Sequence, residues 1–381
     1  MTVVPSRHPL PPVLPFGRFF FPGPTGVHPE VLEAMRAEMI PHRGAELEAL
    51  VTRLEQPLKA LFRTREPVLI GSCSATGFME AAIRNGVEHR VLVVVGGAFG
   101  ERFAQVAESC GREVIRAIVA PGRTMEPEYL AQFLQGPEVD AVALVHSETS
   151  TGALAPIEQL AAVVRAHPDV MLLVDAVSSL GACPVETDAW GLDFVFAGSQ
   201  KALALPPGLA LGVASPRLLA KARGVGDRGR YFDLPIYHEF ALRHQPPTTP
   251  ALPLYNALDR QLARIAAEGG VEARWRRHYG MLLVMERWVA AHPTVTFLPA
   301  EGRRSASVSC LRLPADLGAT TLVGQLRARG WTIGTGYGPL RESTIRVGHM
   351  GDLTAAHLEA LLEALEQALN AAATTGGISA G

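Results

Sequence analysis

Five short stretches of this chain are aliphatic at nearly every position: residues 91–95 (VLVVV), 139–146 (VDAVALVH), 171–175 (MLLVD), 193–197 (DFVFA) and 209–214 (LALGVA). A strand with one wet face alternates apolar and polar residues. A run without that alternation needs cover on both faces, as in the middle of a parallel sheet. Amphipathic segments at 101–110 and 156–167 sit between the runs. This alternation predicts an α/β fold, a mostly parallel sheet covered by helices. Aromatic residues make up only 6% of the chain, so the core must be aliphatic and Ala-rich.

The rhythm changes near residue 255. Helices are expected at 258–268, 273–291, 322–329 and 355–369, and strands at 306–313 and 343–347. The last helix repeats its apolar residues at i, i+3, i+4 and i+7. At about 150 residues per domain, 381 residues suit two domains. The expected division is an extended N-terminal arm (1–17), a large α/β domain (18–265), a small C-terminal α+β domain (266–370) and a disordered tail (371–381). Five prolines precede Pro22, and Arg18 is a late basic residue, which does not suit a signal peptide. An arm lying across a partner subunit and a frayed terminus both fit.

Thirty-five basic against 37 acidic residues leave a net charge of −2, too weak a field to recruit nucleic acid or an acidic membrane surface. No run of 18 apolar residues exists, so no membrane span is expected. Cys73, Cys110, Cys183 and Cys310 form no C-x-x-C pair and have no His-rich spacing near them. No metal site and no disulfide framework is expected, which leaves a reduced, cytoplasmic chain as the default.

Ligands of open α/β sheets sit beyond the carboxyl ends of the strands. Asp175 ends MLLVD, and Lys201 follows DFVFAGSQ. A carboxyl at an apolar strand end needs a cation or a hydrogen-bond donor, and a pyridinium N–H is one. A lysine in an apolar setting is held toward its neutral form, as an amine must be to form a Schiff base. A buried structural Asp–Lys pair fits the same spacing. GSCSATG (71–77) leads into FMEAAIRN and reads as an anion site at a helix N-terminus or as an ordinary Ser/Thr cap. GGAFG (96–100) has Ala98 where a dinucleotide motif needs glycine. Its Phe99 suits either a flat ring stacked on it or a buried loop anchor. Arg346, in STIRVGHMG, offers a bidentate fork for a substrate carboxylate or for a glutamate of the protein.

Together these residues resemble the class V (fold type I) pyridoxal-phosphate aminotransferases, nearest the serine/alanine–glyoxylate (serine–pyruvate) branch. The resemblance spans Phe20 to Leu369. It rests on PGPTGVHPEVLEAM, HRG at 42–44, SATGFMEAA, HSETSTGAL, LLVDAVSSLG, AGSQKALALPPGLALGVAS and IRVGHMG. It implies pyridoxal 5'-phosphate held by Lys201 as an internal aldimine, with Asp175 keeping the ring nitrogen protonated. Phe99 stands where the family usually has an aromatic, often Trp, stacked on the ring. Ser74, Ala75 and Thr76 would hold the phosphate, assisted by Gln200, and Ser150 would touch the ring hydroxyl. Thr248, or Thr249 one register on, would reach the phosphate of the neighbouring subunit, so the resemblance implies a homodimer with shared active sites. Arg346 would clamp the substrate carboxylate, with the backbone around Gly26 nearby.

The implied reaction moves an amino group from serine or alanine to a 2-oxo acid such as glyoxylate or pyruvate, with ping-pong kinetics. Phosphoserine transaminases are the alternative, because His42-Arg43 resembles their phosphate-meeting pair; a family-wide structural turn also explains it. Cysteine desulfurases commonly carry His where Gln200 and Phe99 stand, and Cys310 lies in an apolar strand. A nicotinamide dehydrogenase is weakened by Ala98. A non-catalytic chain that retains the fold is the non-enzyme alternative.

Overall fold

The computed structural model describes residues 15–376. Seven strands form the central sheet: β1 (Leu69–Gly71), β2 (Arg90–Val95), β3 (Glu113–Ile118), β4 (Ala141–Val145), β5 (Met171–Asp175), β6 (Phe194–Gly198) and β7 (Ala210–Ala214). Their order is β1-β7-β6-β5-β4-β2-β3. Strands β3, β2, β4, β5 and β6 are parallel, while β7 is antiparallel to both neighbours. The five apolar runs contain β2, β4, β5, β6 and β7. Two strands escaped the sequence pattern: β1 has three residues, and β3 (EVIRAI) is an edge strand with a half-wet pattern.

The unbroken runs are explained by two buried clusters, one on each side of the sheet. Leu172, Val174, Val195 and Ala197 point into one; Met171, Leu173, Phe194 and Phe196 point into the other. Each such side chain contributes about 1.5–3 kcal/mol by leaving water. Helices α1 (Ala45–Phe62), α2 (Ala75–Gly86), α3 (Ala98–Ser109), α4 (Ile157–Arg165) and α5 (Leu252–Ala267) cover the sheet. Helices α2 and α3 pack on the second cluster through Phe78, Ile83 and Phe103; α1, α4 and α5 pack on the first.

A four-stranded antiparallel sheet follows, in the order β8-β9-β11-β10: β8 (Thr296–Phe297), β9 (Val308–Arg312), β10 (Gly334–Thr335) and β11 (Thr344–Gly348). Helices α6 (Val271–Ala291), α7 (Ala319–Ala328) and α8 (Ala355–Gly376) enclose its core. Helix α6 serves both domains: Val271 and Trp275 belong to the large core, Met281 and Met285 to the small one. Residues 18–22, counted with the large domain in the sequence division, run instead along the small sheet. Phe20 is buried in the small core, its N–H donates to Thr332 O (2.7 Å), and its carbonyl accepts from Gly348 N–H (2.7 Å). A few residues on, Thr25 N–H donates to Gln200 O (3.0 Å), so this strand-like strap joins the two domains. The last helix continues past Leu369 to Gly376, into the segment expected to be disordered. Its NAAATT sequence is Ala-rich and favours helix. The remainder of the expected arm and tail, 1–14 and 377–381, lies outside the described residues.

Arg274 of α6 is 1% exposed and ties the halves together. Its Nε and Nη2 both donate to Ala202 O (3.1 and 2.6 Å), and Nη1 pairs with Asp352 Oδ1 at 2.9 Å. The peptide beside Lys201 is thereby anchored to the loop that leaves β11. No helix among the described residues is long and apolar enough to cross a membrane.

His146 and His349 are fully buried, and burial pushes each ring down to about 4. The unfolded chain takes up these protons near the ordinary 6.5, the folded chain only near 4. Stability is therefore complete above about pH 6.5 and is lost as pH falls toward 4, by up to about 3 kcal/mol for each ring. Chemical denaturation of the apo chain between pH 7 and pH 4.5 measures this. The midpoint should fall throughout that range, and His146→Gln should remove part of the slope.

Candidate active site

The carboxyl ends of β1, β2, β4, β5 and β6 meet at one edge of the sheet. A cavity of about 280 Å³ opens there, lined by Ser74, Ala75, Thr76, Phe99, Arg102, Asp175, Gln200 and Lys201 and closed by Gly23-Pro24. Adjacent parallel strands β5 and β6 deliver the carboxyl and the amine. Asp175 is the last residue of β5; Lys201 is three residues beyond β6, in the short connection that turns into antiparallel β7. That connection is knitted by Ala204 N–H to Lys201 O (2.8 Å) and Ser199 Oγ–H to Pro206 O (2.8 Å).

Both groups are strained electrostatically. Burial raises the Asp175 carboxyl to about 7, and the nearby Glu148 charge adds to this. The Val177 N–H (2.8 Å to Oδ1), Lys201 and Arg102 oppose it. Burial lowers the Lys201 amine to about 8; Asp175 opposes this, and the charges of Arg346 and Arg102 reinforce it. The Lys201 ammonium donates to Pro22 O and lies 5.8 Å from the centre of the Phe99 ring. A carboxyl held near neutrality and short of donors accepts a cationic N–H readily, and an amine partly neutral near pH 8 can attack an aldehyde. Ser74 is the N-cap of α2, and its side chain makes no capping hydrogen bond. Ala75 and Thr76, the first two residues of α2, line the cavity at the positive end of the helix dipole, which suits a phosphate. An aldehyde-bearing pyridine with a phosphate arm fits this donor set.

The loop under Phe99 depends on a residue the sequence reading passed over. Glu148 accepts from the N–H groups of Phe99 and Gly100 (both 3.1 Å) and of Ser150 (3.1 Å), capping α3. Its sequence signal was an acid just past the end of β4, facing a glycine-rich helix start. Ser150 joins this loop: its Oγ–H donates to Glu148, and its Oγ accepts from Ala98 N–H (3.0 Å). Gly97 is needed there, because a Cβ would stand 2.4 Å from Ser150 Oγ.

At the N-terminal strap, Gly23 faces the lysine. Gly23 has φ +111°, and a Cβ would lie 2.5 Å from Lys201 Cε and Nζ. Gly26 instead neighbours Phe16 and Phe19. Arg346 sits on β11, 8% exposed, and donates to Thr335 O (2.9 Å) and Thr149 O (3.3 Å). No carboxylate among the described residues pairs with it, so the glutamate partner considered above is not found. Tyr337, also missed, places its ring 5.5 Å from the Arg346 guanidinium and 6.3 Å from the Phe99 ring. Thr248 and Thr249 lie just before α5, away from the cavity of their own chain. Arg43 donates to Pro246 O (2.8 Å) and covers the Phe240 ring, so it braces the segment that carries those threonines.

A fold of this kind, with a buried lysine and carboxyl at neighbouring strand ends, defines a pyridoxal-phosphate-dependent enzyme. The family model described as aminotransferase class-V matches residues 19–336, and the chain belongs to that family. It is 33% identical over 354 residues to a Synechococcus sp. protein named soluble hydrogenase, small subunit, covering 91% of each chain. It is 30% identical over 364 residues to a Methylorubrum extorquens serine–glyoxylate aminotransferase, covering 92% of this chain and 90% of that one. The crystal structure of an alanine–glyoxylate aminotransferase from Nostoc sp. superposes with a TM-score of 0.88 at 29% identity, covering 97% of this chain and all of that one.

Gly23→Ala should strain a positive-φ position and crowd Lys201, weakening cofactor retention by about tenfold, the equivalent of 1–2 kcal/mol. Absorbance titration of the apo chain with pyridoxal 5'-phosphate measures it. A thermal melt should stay close to that of the parent.

Proposed function

We propose that this chain is a transaminase that passes the amino group of a small amino acid, serine or alanine, to a 2-oxo acid such as glyoxylate or pyruvate, in ping-pong order. The observation that carries the reading is the buried pair of Lys201 and Asp175 lining one cavity. The buried Arg346 fork, near enough for its charge to act on Lys201, pairs with no carboxylate among the described residues. Pyridoxal phosphate supplies an aldehyde for the amine and a ring that accepts the electron pair left at Cα.

Lys201 would hold the aldehyde through Nζ, and the same amine, when neutral, would take up and return the substrate's Cα proton. Asp175 would hold a proton on the ring nitrogen, the interaction that relieves its own burial. Phe99 would pack beside the ring. The α2 N-terminus, with Ser74, Ala75, Thr76 and Gln200, receives the phosphate. Arg346 grips the α-carboxylate and so fixes which Cα bond stands perpendicular to the ring. Thr248 of each protomer completes the phosphate site of the other in a cytoplasmic homodimer.

Two observations disfavour the competing substrates. Arg43 donates to Pro246 O and covers the Phe240 ring, a bracing role that accounts for it without a phosphoserine phosphate. Cys310 lies in β9, its thiol pushed up by burial to about 11, a poor nucleophile for sulfur transfer.

The test is a donor panel of alanine, serine, phosphoserine and cysteine against glyoxylate and pyruvate. Alanine or serine should lead, with parallel double-reciprocal plots. Lys201→Ala should cut turnover by about a thousandfold or more and abolish the borohydride-fixed cofactor. Normal turnover in that variant overturns the reading.

A further inference from the structure

Arg102 lines the same cavity from the start of the second turn of α3, and no role has been given to it. Its guanidinium lies 4.8 Å from the centre of the Phe99 ring. Among the described residues it makes no ion pair and no hydrogen bond. A cation half-buried in a cavity wall without a partner is costly unless something nearby uses its charge. Besides Arg346, whose charge acts on Lys201, four charged groups share this end of the sheet. Asp175 and Glu148 are acidic; Lys201 and Arg102 are basic, and both basic groups favour the ionised carboxylate of Asp175. The two cations differ in permanence. Burial holds the Lys201 amine toward its neutral form, whereas a guanidinium keeps its charge across the working range.

We propose that Arg102 is a positioning residue for the cofactor site: it supplies the lasting positive charge that balances Asp175, while packing against Phe99. This rests on the transaminase reading, since it assumes that a pyridine nitrogen meets Asp175. Without Arg102, Asp175 would keep the Val177 N–H and Lys201, whose own charge burial weakens, against Glu148, which repels its charge. The carboxyl would then hold its proton to higher pH and have no charge to offer the ring N–H. The helix position has a second effect: Arg102 is one turn from Phe99, so its guanidinium and the ring move together.

The test is equilibrium binding of pyridoxamine 5'-phosphate to the apo chain, which reads the ring and phosphate contacts without any bond to Lys201. Arg102→Met and Arg102→Gln should weaken binding about tenfold at pH 7, and the deficit should shrink toward parity by about pH 9, where Asp175 ionises unaided. Arg102→Lys should recover most of the loss. In an Asp175→Asn background, Arg102→Met should cost little, because the charge it served is gone. Thermal melts identify any variant that has not folded, and two neutral replacements keep the comparison open. Arg102→Met binding as tightly as the parent at pH 7, or showing the same deficit at pH 7 and pH 9, overturns the proposal. A parent chain that binds neither pyridoxamine 5'-phosphate nor pyridoxal 5'-phosphate overturns the transaminase reading, and this assignment with it.

Discussion

Two opposite charges buried at the ends of adjacent parallel strands dominate this molecule. Asp175 and Lys201 are each at least nine-tenths hidden from water. Burial works against both ionised forms, raising the acid and lowering the amine toward each other. Neither of their hydrogen bonds resolves this: Val177 serves one oxygen of Asp175, and Pro22 receives the ammonium. A protein that wanted only stability would place apolar residues at these two positions. What rewards the arrangement is a third body with a cationic N–H for the acid and an electrophile for the amine. The rest of the site follows as support, with Glu148 shaping the loop under Phe99 and Arg274 anchoring the peptide beside Lys201.

The large domain was legible because its physics is local. Runs such as MLLVD can only be covered on both faces, and their alternate residues do enter two separate cores. Asp175, Lys201, Phe99 and the α2 cap could be found by looking just beyond predicted strand ends. What escaped depends on distant partners. Glu148 is one acid among many until the fold brings it to the start of α3. Ser150 is tied into the same turn by Glu148 and Ala98, a pairing that only the fold makes. Gly23 was indistinguishable from Gly26 by composition, and only the approach of Lys201 separates them. Arg274, alone within a helix of mixed polarity, gave no sign that it would be buried against Ala202.

The division into domains was harder to read, because the boundary is not a loop. Helix α6 is continuous across it, with its first half in one core and its second half in the other. A long helix transmits displacement along its length instead of absorbing it. Arg274, near its start, grips Ala202 on one side and Asp352 on the other. The lysine loop and the strand that carries Arg346 are thus held by one guanidinium.

The strap from Phe20 to Thr25 has a mechanical consequence. Its first half is hydrogen-bonded to the small sheet and its last residue to Gln200, and between them the Pro22 carbonyl holds the lysine ammonium. It is a tether with fixed ends and little slack. Any rotation of the small sheet relative to the large one must slide Pro22 along the amine, so interdomain geometry and the freedom of that single nitrogen form one mechanical coordinate.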